Sequence, residues 1–202
     1  MKGTSGHRLQ MSTALILIVC LLGGATAFAQ SSDVDGASRK YSVMAAFLYN
    51  FMSFVEWPAN AQTAEGPMTI GILGRDPFGN AAEAIERKKV DGRTIRFRHF
   101  QRIEELEPTH ILFIAQEEAA RMPEILAVLQ GRPVLTCSEH EAFTREGGMV
   151  RFFEVSEKAP DDGEQKRLRL EINETAARDA NITIRSKLLR LATVVTHPAP
   201  QQ

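Results

Sequence analysis

The sequence predicts a single α/β domain with a mainly parallel, doubly wound sheet, flanking helices and a C-terminal antiparallel hairpin. Short, almost wholly apolar runs at 68–73, 109–115 and 134–137 are typical of strands that are buried on both faces. Helical segments separate these runs, which favours parallel strands joined by crossovers. Two alternating runs on either side of a polar loop, at 149–155 and 167–172, indicate a hairpin with one wet face.

A cleaved signal peptide is predicted over residues 1–29. Lys2 and Arg8 give a basic start, Ala14–Leu22 is an apolar block, and Ala27-Phe28-Ala29 offers small residues where a signal peptidase reads. We expect export and a mature chain that begins at Gln30. The apolar block is shorter than the ~20 residues of a membrane span, so we expect no direct insertion into the membrane.

The two cysteines bear on the compartment and on disulfides. Cys20 suggests a lipid-anchored alternative, but Val19 is bulky where a small residue is needed. Cleavage leaves only Cys137, which can form no disulfide within the chain. We predict that Cys137 is buried near the end of a strand; an intermolecular disulfide or a redox role is the alternative.

The mature chain, residues 30–202, has the size of one domain. It retains 22 basic and 25 acidic residues, a formal charge of −3, which argues against a nucleic-acid partner. We assign residues 30–38 to a flexible N-terminus, 39–196 to the α/β domain and 197–202 to a loose tail.

A strongly apolar helix is predicted over residues 40–56. Its stretch from Tyr41 to Val55 contains no charged residue, and its apolar side chains cover most of the circumference. Pro58 cannot continue a helix, so the chain should leave the helix at 56–58. We expect most of this helix to pack on the sheet and part of it to serve a homodimer or a partner. The aromatic residues of the predicted contact surface are Tyr49, Phe54 and Trp57.

Local signals place the elements between the predicted parallel strands. Asn80 is positioned to cap a helix that runs to about Lys89, and residues 94–99 alternate as a half-exposed strand. Residues 117–130 predict a helix. Its apolar side would contain Ala120, Ile125, Val128 and Leu129.

Two short helices are predicted near the C-terminus. Asn173 is positioned to cap one that runs to about Asp179, and Ser186 to cap a final one. The apolar side of the final helix would contain Leu188, Leu191, Ala192 and Val195.

A candidate ligand crevice lies in the loop GRDPFG at 74–79, which contains Arg75, Asp76 and Phe78. The loop joins the carboxyl end of a predicted parallel strand to a helix, where ligands bind in open α/β sheets, and Arg75 could pair with an anion. Its glycine spacing does not match a dinucleotide-binding motif. A plain connecting turn is the alternative.

No catalytic, metal or cofactor site is predicted. Cys137 and His140 have the spacing of half a zinc site, but no second pair of ligands accompanies them. Ser138 and His140 are close in sequence, which does not make a catalytic triad. We therefore expect a protein that is not an enzyme.

A basic stripe is predicted along the strand at 94–99 and its flanks. Such a stripe is typical of solvent-exposed surface, and its charges could also steer the approach of a partner. Arg96 and Arg98 are its candidate partner-binding residues, and Arg93 and Arg102 extend it.

Five motifs are spread along the chain. They are the helix from Lys40 to Trp57-Pro58, GILGRDPFG at 71–79, Gly147-Gly148 before a strand, LEIN at 170–173 and SKLLRLA at 186–192. In this combination the chain resembles the YfiR family of bacterial periplasmic proteins, and the resemblance covers nearly all of the mature chain.

This resemblance implies a small α/β regulator that holds an inner-membrane signalling protein inactive by binding its periplasmic part, and a diguanylate cyclase is the expected partner. Control of cyclic di-GMP and of biofilm formation would follow. It brings no catalytic residue and no ligand contact to this chain. The alternative is a periplasmic small-molecule-binding protein that uses the crevice at Gly74–Asn80.

Overall fold

The structure is a computed structural model that describes residues 25–59, 66–158 and 163–197, with side chains from residue 36 onward. The described residues divide into two units after Lys40, and the fold below is that of the second unit, from Tyr41 onward. The helices are α1 (Ala25–Phe54), α2 (Asn80–Glu86), α3 (Met122–Leu129), α4 (Glu174–Asp179) and α5 (Ser186–Leu189). The strands are β1 (Val55–Glu56), β2 (Met68–Leu73), β3 (Lys89–Val90), β4 (Arg93–Phe100), β5 (Ile111–Ile114), β6 (Leu135–Ser138), β7 (Val150–Lys158), β8 (Glu164–Asn173), β9 (Thr183–Ile184) and β10 (Thr193–Val195).

The eight-stranded sheet has the order β10-β8-β7-β6-β5-β2-β4-β3. Strands β4, β2, β5, β6 and β7 pair in parallel, whereas β7 and β8 form an antiparallel hairpin. This confirms the prediction of a mainly parallel sheet with a C-terminal hairpin. Strand β4 is half exposed, as predicted, with Ile95 buried and Arg96 exposed.

Two hydrophobic clusters cover the two faces of this sheet. Because successive side chains of a strand point to opposite faces, Ile70 and Ile72 of β2 face one cluster and Leu73 faces the other. The first cluster contains the buried side chains of α1 and α2, and the second contains those of α3. Parallel strands that are covered on both faces explain the continuous apolar runs of β2 and β5.

The first helix is longer than predicted at its N-terminal end. It begins at Ala25 instead of Lys40 and continues through residues 30–38. The mobility that we predict for residues 30–38 applies to the cleaved chain and stays a prediction. Most of the predicted signal peptide lies outside the described residues. Within the described ranges, no helix is long and apolar enough to cross a membrane.

The C-terminal end of α1 comes two residues earlier than predicted. Val55 and Glu56 already form β1, which pairs antiparallel with Ile184 and Thr183 of β9. Because these two residues pair with β9, the helix ends before the chain reaches Pro58.

The packing of α1 on the sheet confirms the central prediction for this helix. Met44, Leu48 and Phe51 have no solvent exposure. The ring of Phe51 stacks on Phe152 of β7, with the ring centroids 6.0 Å apart and the planes 22° apart. The first helix is thereby fixed to the hairpin.

The predicted helix 117–130 consists of two parts. Gln116–Arg121 is a 3-10 helix, and the α-helix starts only at Met122. Pro123 favours this start, because the N–H group that proline lacks would have no partner within the helix in the first turn. The prediction for the apolar side was wrong for Ala120 and Val128, which are exposed. The buried side chains of α3 are Met122, Ile125 and Leu129.

The prediction of a long final helix was also wrong. Helix α5 ends at Leu189, Leu191 is 63% exposed, and Thr193–Val195 forms β10 parallel to β8. Strand β8 would otherwise present unpaired backbone groups at this edge, and a β-branched run favours the extended chain. Ser186 follows the capping position instead of occupying it.

Helix α2 also differs at its ends. Asn80 is its first residue rather than its cap, because the carbonyls of Phe78 and Gly79 accept the first turn's N–H groups from Ala81 and Ala82. The helix ends at Glu86, before the predicted Lys89, since Lys89 pairs with β4.

Truncation of Phe51 tests the packing of α1. Phe51→Ala should lower the free energy of unfolding by about 3–5 kcal/mol, because it leaves a cavity under the helix. Val43→Ala, at a position that is 41% exposed, should cost less than about 1 kcal/mol. Urea unfolding measures both values, and equal small losses would contradict the burial of Phe51.

Candidate functional site

The predicted ligand crevice lies at the carboxyl ends of β2 and β5. Gly74 has φ +90°, and a Cβ there would lie 3.1 Å from the Cβ of Ala115. The backbone N–H of Arg75 donates to Oε1 of Glu117 at 2.7 Å, and the Arg75 Nε lies 4.0 Å from the same oxygen. A carboxylate of the chain therefore already takes the place of an anion beside Arg75.

The other two residues of the crevice have structural contacts. Asp76 closes the turn, since its Oδ1 accepts the N–H of Phe78 at 2.7 Å. Phe78 is only 4% exposed, and its ring lies 4.9 Å from that of Phe113 in an edge contact. Phe78 is thus a core residue, whereas Arg75 and Asp76 stay at the surface of the loop.

The three aromatic residues proposed for a contact surface are half-buried. Lys88 Nζ lies 4.8 Å from the centre of the Tyr49 ring, and Lys187 Nζ lies 5.1 Å from that of Phe54. Trp57 Nε1 donates to the carbonyl of His110 at 3.2 Å. These rings pack against the first core cluster and present only part of their surface to solvent.

The basic stripe lies on the opposite face of the sheet. Arg96 and Arg98 have the same parity along β4 as Phe100, which belongs to the second cluster. Arg98 lies 3.4 Å from Glu107. The structure therefore does not bring Tyr49, Phe54 and Trp57 together with the two arginines in one surface.

The flanking arginines of the stripe are engaged as well. Arg93 donates to the carbonyl of Gly66 at 2.6 Å, and it lines a cavity of about 420 Å³ together with Trp57. Arg102 donates to Glu105 at 3.0 Å, and this hydrogen bond lowers the pKa of the Glu105 carboxyl. Arg96 and Arg98 remain the arginines of the stripe that face solvent along β4 itself.

Gly147 and Gly148 each occupy a position that favours glycine, for two different reasons. Gly147 has φ +98°, a region that favours glycine. A Cβ on Gly148 would lie 2.4 Å from the ring of Phe143, whose carbonyl accepts the Gly148 N–H at 2.8 Å. The pair lets the loop before β7 close tightly over Phe143.

Asn173 joins three parts of the chain and is fully buried. Its Oδ1 accepts the N–H of Ala176 at 3.2 Å, which confirms the predicted cap of α4. Its Nδ2 donates to the carbonyl of Thr144 at 2.9 Å and to that of His197 at 3.0 Å. The sequence signal for a cap reveals only the first of these contacts, because the other two partners are distant in sequence.

The residues after β6 hold a turn. Ser138 Oγ donates to the carbonyl of Ile114 at 2.9 Å and accepts the N–H of His140 at 3.2 Å. The Nδ1 of His140 lies 3.7 Å from Glu146 Oε2. In the part of the chain that the structure describes, no three His, Cys, Asp or Glu side chains are placed to hold a metal ion.

Cys137 is fully buried in β6, which confirms its predicted place near a strand end. Burial raises the pKa of its thiol well above the ordinary value, because the thiolate is poorly solvated there. Such a thiol is a weak nucleophile.

A groove of about 610 Å³ lies between α3 and α4, and no sequence pattern predicts it. Its lining comes from four separate segments, around Leu126, Thr136, Gly147 and Ala180. No contiguous motif contains them, so only the fold reveals the groove.

Asn173→Asp tests the role of the buried amide. The change replaces a double donor by a carboxylate oxygen that faces two carbonyl groups, so it should cost about 3 kcal/mol of unfolding free energy. Asn80→Asp is the same chemical change at an exposed helix start and should alter stability by less than about 0.5 kcal/mol. Equal effects in denaturant unfolding would refute the role assigned to Asn173.

The reactivity of Cys137 tests its burial. At pH 8 a thiol-specific disulfide reagent should label the folded chain at least about a hundredfold more slowly than the urea-unfolded chain. Because the folded pKa lies above the unfolded value, the unfolded state loses its proton first, and stability should fall as pH rises above about 8.5. Cys137→Ala should abolish this thiol's contribution to the fall, and rapid labelling of the native chain would contradict its burial.

Comparison with known proteins supports the family resemblance over most of the chain. The family model DUF4154, described as YfiR/HmsC-like, matches residues 41–193, from within α1 to the first residue of β10. No curated protein matches the chain significantly. The family is one of non-catalytic periplasmic regulators. This chain belongs to the YfiR/HmsC-like family.

Proposed function

We propose that this protein is an exported periplasmic regulator that binds the periplasmic part of an inner-membrane signalling protein and holds it inactive. The partner in this proposal is a diguanylate cyclase, so the protein lowers cyclic di-GMP and restrains biofilm formation. The match to the YfiR/HmsC-like family over residues 41–193 carries the proposal. Cleavage after Ala29 and a mature chain from Gln30 belong to the same proposal.

The engagement of polar groups supports a binding role over a catalytic one. Ser138 binds a backbone carbonyl, Asp76 closes a turn, and Asn173 caps a helix and holds two loops. Catalytic groups need to be directed at a substrate, whereas these groups satisfy the backbone of the fold.

We place the partner contact along β4. Strand β3 pairs only with Arg93 and Thr94 of β4. From Ile95 onward, the outer edge of β4 therefore has no described strand beside it. Arg96 and Arg98 face solvent there, and their charges would steer an acidic partner toward this edge. Tyr49, Phe54 and Trp57 lie on the other face, so we assign them to the core and, through their exposed parts, to a homodimer contact.

Repression needs only a preference for the inactive state of the cyclase. A regulator that binds the inactive conformation ~100-fold more tightly shifts the equilibrium by about 2.7 kcal/mol. This shift is enough to silence a cyclase whose two states are nearly balanced.

Affinity capture tests the partner contact. A tagged mature chain should bring down a diguanylate cyclase from detergent-solubilised membranes. Arg96→Glu combined with Arg98→Glu should reduce the captured amount at least about tenfold at low salt, because steering by opposite charge becomes repulsion. Arg190→Glu, an exposed charge reversal beyond α5, is the matched control and should leave capture unchanged.

Gene deletion gives the cellular readout. Loss of the protein should raise cyclic di-GMP and surface attachment, and the exported chain should reverse both. Full rescue by a chain without its leader would refute the periplasmic contact. An unchanged cyclic di-GMP level would remove the cyclase as the partner.

A further inference from the structure

The groove between α3 and α4 has the size and the walls of a small-molecule site. Its volume of about 610 Å³ lies within the ~300–1,000 Å³ that is typical of ligand pockets. Apolar side chains form most of its surface, among them Leu126 and Leu129 of α3, Met149 before β7, and Ala176 and Ala180 around α4. An apolar body of a ligand could therefore be buried there.

The charged side chains that line the groove are both acidic. Glu146 and Asp179 line it, and no Lys, Arg or His is among its described lining residues. Arg132, Arg145 and Arg178 are neighbours in sequence of lining residues, but their side chains do not form its walls. The electrostatic character of the groove thus favours a cation over an anion.

Glu146 provides a second observation. Its Oε2 is buried and has no hydrogen-bond partner among the described residues, and the Nδ1 of His140, which also lacks one, lies 3.7 Å away. A buried carboxylate oxygen without a donor is costly. The Glu146 side chain as a whole is 33% exposed and lines the groove, so an ammonium group in the groove could reach the carboxylate from its open side.

We propose that this groove binds a small organic ammonium compound, with its apolar body between α3 and α4 and its cationic group at Glu146 and Asp179. The proposal goes beyond the regulatory function and does not depend on it. The wall of the groove includes Gly147, whose positive φ sets the path of the loop that carries Glu146.

Calorimetric titration of the mature chain tests the site with three compounds of one shape. The probes are 2-phenylethylammonium, its neutral analogue 2-phenylethanol and the anion phenylacetate. The ammonium should bind at least about tenfold more tightly than the alcohol, because it adds charge-assisted hydrogen bonds, and the anion should bind most weakly. Equal binding of ammonium and alcohol, or no binding of the ammonium, would overturn the proposal.

Variants locate the binding to the groove. Glu146→Gln and Asp179→Asn should each weaken ammonium binding at least about fivefold while leaving the alcohol nearly unaffected. Ala127→Trp, at an exposed lining position, should fill the groove and abolish binding of both compounds without unfolding the chain. Glu124→Gln removes an exposed carboxylate of α3 outside the lining and is the control. Unchanged binding to the folded Ala127→Trp variant would place the ligand elsewhere.

Discussion

The stack of Phe51 on Phe152 is the contact on which the arrangement of the domain depends. It joins the first helix to the hairpin, two elements that are separated in sequence by the parallel strands β2, β5 and β6. A parallel sheet is stable only when helices cover both faces, and α1 supplies much of the cover on one face. The helix is apolar around most of its circumference because it is in contact on several sides. It contacts the sheet, Lys88 and Lys89, and the segment around Lys187.

The residues that carry the family resemblance serve mainly this architecture. Gly148 allows the close approach of Phe143, and Asn173 connects the loop that contains Phe143 to α4 and to His197. Asp76 shapes the loop that delivers Phe78 to the core. These residues therefore stabilise the scaffold, whereas the partner contact that we propose uses Arg96 and Arg98, which lie outside the motifs of the resemblance.

Local patterns predicted the parts of the fold whose stability is local or whose burial is complete. The apolar runs of β2, β5 and β6, the hairpin and the cap at Asn173 all appear where periodicity and capping place them. The segment 193–195 was wrongly predicted as helix, because its state depends on the open edge of β8, which helical periodicity does not report. The separation of the aromatic residues from Arg96 and Arg98 depends on the parity of β4 relative to α1, and the groove depends on four distant segments. Both the separation and the groove arise from the topology of the sheet, so patterns within short stretches of sequence do not predict them.

We propose that the folded chain itself represses a cyclase through its periplasmic part. The rate of cyclic di-GMP synthesis by the purified cyclase in lipid vesicles, with the mature chain present on the periplasmic side, tests this repression. A dose-dependent fall in the rate is expected, and the Arg96→Glu and Arg98→Glu double variant should reproduce it only at higher concentration. An unchanged rate at saturating mature chain would refute the repression.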